Sequence, residues 1–390
     1  MNQWPDAETT LPSDGTEGAL VGRVWRPGLG PSVVAVRDTG VYDVTAAFAT
    51  VRDLCEAPDP AGRLRAADGE RIAGLGELLA NTPAGTRDTG RPWLLAPVDL
   101  QAVKAAGVTF VVSMLERVIE ERVRGDASEA ARTREGIRRV VGDDLAALRP
   151  GSEKAAALKE ILVAQGMWSQ YLEVGIGPDA EIFTKAPVLA AVGSASDAGV
   201  HPSSRWNNPE PEVVLAVSST GAVVGATLGN DINLRDVEGR SALLLPQAKD
   251  NNASAALGPF LRLFEPGFGI DDVRGATVSL TVEGTDGYRL DAESSMSAIS
   301  RDPLDLVAQL IGPHHQYPDG AVLYLGTMFA PVEDRDAPGQ GFTHHDGDLV
   351  SIATPRLGTL VNRIRPSDAC APWTFGIADL MRSLTARGAL

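Results

Sequence analysis

Apolar and polar positions change their rhythm along this chain. Short apolar runs dominate from residue 173 onward, at 188–192, 213–217, 223–228, 277–282, 322–325 and 349–352, and their length and β-branched content predict strands. A segment opening on Pro303 and running to 311 carries helical spacing, with proline at the first turn where no N–H is needed, and a second helix is expected at 377–384. Residues 99–166 differ: the pieces 118–124 and 151–165 and the Ala/Arg/Glu-rich tract to 149 combine strong helix formers with helical spacing, and their mixed charge reads as a solvated face. Before them, β-prone pieces at 20–25, 32–36 and 40–44 alternate with Gly/Pro turns, and helices are expected at 44–55 and 69–79.

This pattern divides the chain into a polar, mobile arm at 1–17, a small β-rich unit at 18–98 and a main unit at 99–390 with a helical insertion at about 117–166. The expected fold class is α+β, with many short strands closing over one another in the main unit. A length of 390 residues is enough for two units and a large core. The formal net charge of −16 argues against nucleic acid or an anionic membrane as partner, since both require a basic footprint. Two cysteines, Cys55 and Cys370, imply neither a disulfide framework nor a zinc site. The first residues lack a basic stretch followed by an apolar core, and the longest apolar run, 108–115, is too short to span a bilayer; the expectation is a cytoplasmic protein.

The chemistry concentrates in Pro209-Glu210-Pro211-Glu212 and in Gly229-Asn230-Asp231 about twenty residues later. Glu210 and Glu212 precede an apolar strand and, two apart, project from one face. The intervening 218–222 is turn-like, so a hairpin would return Asp231 beside the two glutamates. Three carboxylates together repel unless a cation joins them, and an all-oxygen set suits a hard divalent ion such as Mg2+, Mn2+ or Ca2+. The other reading is an edge strand with solvated acids.

Together with Arg235-Asp236, Lys249 before Leu257-Gly258-Pro259, Phe183-Thr184-Lys185, Ser295-Met296, Leu325-Gly326-Thr327, Gly347-Asp348 and the run 357–362, these motifs resemble the fumarylacetoacetate hydrolase family in order and spacing. The resemblance covers about 108–362 and implies a mixed β-roll whose Glu210, Glu212 and Asp231 hold magnesium or manganese, with 2-oxo acids as substrates and a homodimer or homotetramer as assembly. One departure matters. Hydrolases of the family carry a water-activating His and Glu, and here Ser113 stands where the histidine would be, with Glu116 after it; none of the five histidines (His201, His314, His315, His344, His345) falls there.

Gly107-Val108-Thr109-Phe110, the helical insertion and Ser204-Arg205-Trp206 resemble the branch that dehydrates 2-keto-3-deoxy sugar acids, chiefly pentonates, to 2,5-dioxopentanoate in non-phosphorylative pentose oxidation. That implies a metal-stabilised enolate, with Lys249 as proton carrier at C3 after losing basicity beside the cation, and Glu181 as partner of the departing hydroxyl. Lys185 and Thr327 are then expected on the substrate carboxylate, and Ser113 or Ser204 on its hydroxyls. Arg235 and Asp236 are expected to pair and support Asp231, and Glu116 and Glu120 to bridge to Arg117 or Arg124. A metal-dependent C–C hydrolase of 2,4-dioxo acids and a non-catalytic 2-oxo-acid binder are the rival readings.

Overall fold

The computed structural model describes residues 4–124, 126, 148–164, 166 and 168–390. Its largest sheet, eleven strands among these residues, runs in the order Glu70–Ala73, Gly40–Asp43, Gly30–Arg37, Leu20–Arg26, Ala255–Leu263, Val223–Asp231, Pro211–Val217, Ala321–Tyr324, Ala102–Gly107 and Glu181–Ala186, with Trp93–Leu95 added to Leu20–Arg26. A five-stranded sheet, in the order Arg289–Ser295, Thr277–Glu283, Leu349–Thr354, Gly358–Pro366 and Ser196–Val200, packs against one face of it.

Pro211–Val217 is a central strand, buried along its whole length. Val213, Leu215 and Val217 enter the core shared with the five-stranded sheet, while Val214 and Ala216 enter a second core on the opposite face with Leu257, Leu261 and Tyr324. Burial on both faces explains why the strand reads as an unbroken apolar run. It also removes the solvated-edge reading of Glu210 and Glu212, which continue the Val214 face inward.

Several boundaries differ from expectation. The strands of 18–98 extend the main sheet, through Leu20↔Arg262 and Val21↔Leu261, and share its cores, so no separate sheet marks that unit. Helix does not begin at 44: Thr50 caps Val51–Cys55, its side chain accepting from Asp53 N while Asp53 accepts from Thr50 N. The span 69–79 splits into strand Glu70–Ala73 and helix Leu75–Asn81. No strand forms at 188–192, where Leu189 takes a φ of +66° and only Val192 bridges to Ala256. Of the helical insertion, Val111–Arg122 and Glu153–Ala164 are helices; 125, 127–147, 165 and 167 lie outside the described residues. No helix among the described residues is long and apolar enough to cross a membrane.

The amino-terminal segment is docked rather than mobile from residue 4. Helix Ala7–Thr10 is capped by Asp6, Ser13 N donates to Pro355 O at 2.8 Å, and buried Arg262 holds both oxygens of Asp14 at 2.8 and 2.6 Å. Hydrogen bonding to Arg262 holds Asp14 below the ordinary carboxylate range, against a smaller cost of burial. Arg262→Ala is therefore expected to destabilise the protein by about 1–3 kcal/mol in urea unfolding and to open residues 4–17 to proteolysis. A depressed folded pKa gives stability that is present above the unfolded value of about 3.9 and lost below it, so the gap between wild type and variant should narrow as pH falls through about 4. A gap that is flat across that range would remove Asp14 from the account.

Candidate metal centre

The register of the hairpin assembles the acids. Pro211 pairs with Asn230 and Glu212 with Gly229, and Asp231 N donates to Glu210 O at 3.1 Å, so Glu210 and Asp231 stand opposite one another on the face that also carries Glu212. One oxygen from each of the three carboxylates lies within 4.8 Å of the others, and all three residues are at most 2 % exposed. Gly326 N donates to Glu212 Oε2 at 2.7 Å and Thr327 Oγ1 to its Oε1 at 3.3 Å. Gly326 sits at φ +105°, and a Cβ there would lie 1.9 Å from Thr109 Oγ1, so only glycine brings this N–H to the carboxylate.

Lys249, at the end of helix Leu245–Lys249, places Nζ 2.5 Å from Glu210 Oε2 and 3.0 Å from Asp231 Oδ2. Burial opposes its charge, but Asp231, Glu210 and Glu238 outweigh that and push its pKa up. In this arrangement Lys249 is an ammonium held by the carboxylates; the loss of basicity expected of it belongs to the cation-bound site. Lys185 is fully buried and contacts Asp231 Oδ1 at 2.8 Å, Lys249 O at 2.7 Å and Ile232 O at 3.0 Å. Lys185 donates to the two carbonyls and forms an ion pair with Asp231, so it fixes Asp231 rather than reaching for a substrate carboxylate. Burial lowers the pKa of Lys185, while Lys185 and Lys249 together bring that of Asp231 down against its own burial. Among the described residues no lysine is ion-paired with Glu212: burial first, then Asp231 and Glu210, push it well above the glutamate range against a smaller pull from Lys249.

Glu181 opens the strand Glu181–Ala186 opposite Gly107, where a Cβ would overlap its Oε2, so the glycine leaves room for the carboxyl. The residue retains some solvent contact by area, yet its carboxyl group is nearly enclosed, and the enclosure decides: burial, then Glu238, raises its pKa to about 7. Lys249 and Arg117 act against that shift, which places Glu181 among the same charges.

Sequence reading missed most of the helix above the acids. Arg117, on Val111–Arg122, is hydrogen-bonded to Glu210 Oε1 and ion-paired with Glu120 at 2.7 Å and Glu238 at 3.1 Å. Burial works against the guanidinium, but Glu120, Glu238 and Glu210 raise its pKa. Glu116 and Glu120 pair with Arg235 at 3.0 and 2.6 Å, and Glu120 also with Arg117, as half expected; Arg124 takes no part in these pairs. Arg235 and Asp236 do not pair with each other; Asp236 instead accepts from Ser204 Oγ at 2.6 Å and Arg205 N at 2.8 Å. Ser204 is thereby committed to its own loop. Ser113 Oγ donates back to Phe110 O at 3.1 Å, and Thr327 lies on Glu212, so neither is shown aimed at a substrate hydroxyl or carboxylate. His344 is buried and pushed down to about 3, chiefly by desolvation, and His345 bridges Asp286 and Asp336 at 3.3 and 3.0 Å.

The donor set fits a hard divalent ion, being all oxygen, buried and short of positive charge at Glu212. Such an ion binds the ionised carboxylates, so affinity should keep rising above about pH 5.5, where an ordinary glutamate is already ionised. Calorimetry with magnesium in two buffers of different ionisation enthalpy should register proton release above the ordinary glutamate range, and Glu212→Gln should abolish tight binding. Equal heats in both buffers would sink the assignment of that proton to Glu212.

Comparison with known proteins gives a consistent placement. Residues 210–365 match the family described as fumarylacetoacetate (FAA) hydrolase C-terminal. The chain is 27 % identical over 332 residues to the probable 2-keto-3-deoxyxylonate dehydratase of Haloferax volcanii, covering 85 % of this chain and 94 % of that protein. It is 28 % identical over 187 residues to the 2-dehydro-3-deoxy-D-arabinonate dehydratase of Saccharolobus solfataricus, covering 47 % and 58 % respectively. Its fold is that of 2-keto-3-deoxy-D-arabinonate dehydratase complexed with magnesium and 2,5-dioxopentanoate, with a TM-score of 0.60 at 18 % identity, covering 89 % of this chain and 99 % of the other. The stretch of chain that carries Glu210, Glu212 and Asp231 thus matches the fumarylacetoacetate hydrolase family, and the fold around it is that of the solved dehydratase.

Proposed function

We propose that this chain is a magnesium-dependent hydro-lyase that removes water from a 2-keto-3-deoxy sugar acid, most simply a pentonate yielding 2,5-dioxopentanoate. The observation that carries the reading is the buried set of Glu210, Glu212 and Asp231 with the Lys249 ammonium on two of them, 2.5 Å from Glu210 and 3.0 Å from Asp231. The names of the relatives favour the same reaction class.

A divalent ion on Glu210, Glu212 and Asp231 supplies positive charge for the substrate's carboxylate and ketone, and for the negative charge that develops when C3 loses a proton. In this reading Lys249 Nζ carries that proton. Competition for its two carboxylates would weaken the hold that now keeps it an ammonium. Glu181, protonated below about 7, gives its proton to the departing C4 hydroxyl, which leaves as water. The C3–C4 unsaturated product then tautomerises to 2,5-dioxopentanoate. Lys185 holds Asp231, and Gly326 and Thr327 hold Glu212, so the carboxylates keep their positions while charge moves.

Hydrolysis of a 2,4-dioxo acid is less well served. Ser113, in the place of the family histidine, spends its proton on Phe110 O, and Glu116 is tied to Arg235, so no water-activating pair is assembled there. The buried carboxylates and lysines also argue against a merely binding role, since a 2-oxo-acid binder has no use for a proton donor near pH 7.

With magnesium, purified protein should form an aldehyde from 2-keto-3-deoxypentonate and release no pyruvate from diketo acids; the reverse would refute dehydration. Glu181→Gln should lower kcat about 100- to 10,000-fold. Because the protonated carboxyl is the active form, wild-type kcat should fall as pH rises through about 7. The variant's residual rate should lack that limb. A limb that persists in the variant would move the acid role to another group.

A further inference from the structure

The hairpin register continues beyond the carboxylates. Asn208 pairs with Asn233, following the Glu210·Asp231 rung, and Trp206 lies opposite Arg235 with the guanidinium 4.4 Å from its ring. Side chains on both flanking rungs meet on one face, so alternation puts Asn208 and Asn233 on that face between them. The helix Val111–Arg122 covers both sides, with Arg117 on Glu210 and Glu116 and Glu120 on Arg235.

Asn208 and Asn233 are fully buried. Asn208 Nδ2 donates to Pro209 O at 2.8 Å, which fixes its amide and leaves Oδ1 without a partner among the described residues. Neither Oδ1 nor Nδ2 of Asn233 has a partner either. Buried amides are normally satisfied, and this rung presents two acceptors and a donor unmet beside a metal-type site. A carboxylate would use only the donor and an apolar group neither. A hydroxyl donates and accepts at once and matches the set.

Adjacent rungs are about 7 Å apart, a span that a five-carbon acid anchored at the carboxylates can reach with its distal end. We propose that Asn208 and Asn233 bind the hydroxyl tail of the 2-oxo acid, and so select hydroxylated acids over plain ones. This rests on the proposed substrate class, and the two are separable by experiment.

The probes are pyruvate, which has no hydroxyl, and 2-keto-3-deoxypentonate, each measured with magnesium on wild type, Asn233→Leu and Asn233→Ser. Pyruvate affinity should stay within twofold, while KM for the pentonate rises at least tenfold with a smaller change in kcat. Melting temperature should hold or rise in the leucine variant, because an unmet buried amide has been removed. A parallel loss of both ligands would show a structural role and overturn the inference, as would no change in either. If Asn233→Leu does not fold, Asn233→Ser and Asn208→Ala read the same ratio. If wild type binds the pentonate without consuming it, the dehydratase reading fails, and calorimetric affinities for the two ligands still decide the rung.

Discussion

The constraint on which the site depends is the mutual repulsion of carboxylates packed inside a sheet. Glu210, Glu212 and Asp231 are buried in the middle of an eleven-stranded sheet, where water cannot screen them. Burial of this kind is tolerated only when opposite charge is built in around it. Lys185 and Lys249 each take one oxygen of Asp231, and Arg117 approaches Glu210 from the helix above. The same requirement fixes the helix itself, since Arg117 and Glu120 are tied to residues that only the completed hairpin brings into reach.

The balance of that charge is unequal. Among the described residues, Glu116, Glu120, Glu210, Glu212, Asp231 and Glu238 surround Arg117, Lys185, Arg235 and Lys249, leaving the carboxylates in excess by two. Burial first, and this excess after it, raise the proton affinity of Glu212 and Glu238, while burial and then Glu238 raise that of Glu181. A divalent ion would meet this excess directly. It would also change the environment of every proton carrier nearby, so metal binding and acid–base poise are one electrostatic system here.

What could be read from the sequence followed the range of the forces involved. The hairpin and its three acids were legible because local alternation and one turn suffice to assemble them. The helices at 303–310 and 377–386 were legible by period. By contrast, Leu189 adopts a left-handed backbone that interrupts a β-prone run, and the polar arm is held by Arg262, almost 250 positions away in the chain. Nothing in a run's composition signals either. Lys185 was placed near the site, but a lysine held by two carbonyls and an aspartate and one facing substrate look alike in sequence. Arg117 was named only as a partner for neighbours on its helix. Its approach to Glu210 crosses 93 positions, and no local period encodes it.

The parts of the site that defy ordinary packing rules are also the parts with chemical purpose. A core optimised for stability would replace Asn208 and Asn233 with apolar side chains and would neutralise Glu212. Their neighbours Val214, Ala216 and Leu257 on the same face of the sheet show that the fold readily supplies apolar packing there. On this face of the sheet the polar rungs end where Val214 begins. Rigidity from the surrounding two-sided core then lets these rungs keep like charges and unmet amides in fixed positions. A ligand entering there meets groups already oriented, and contributes the missing partners itself.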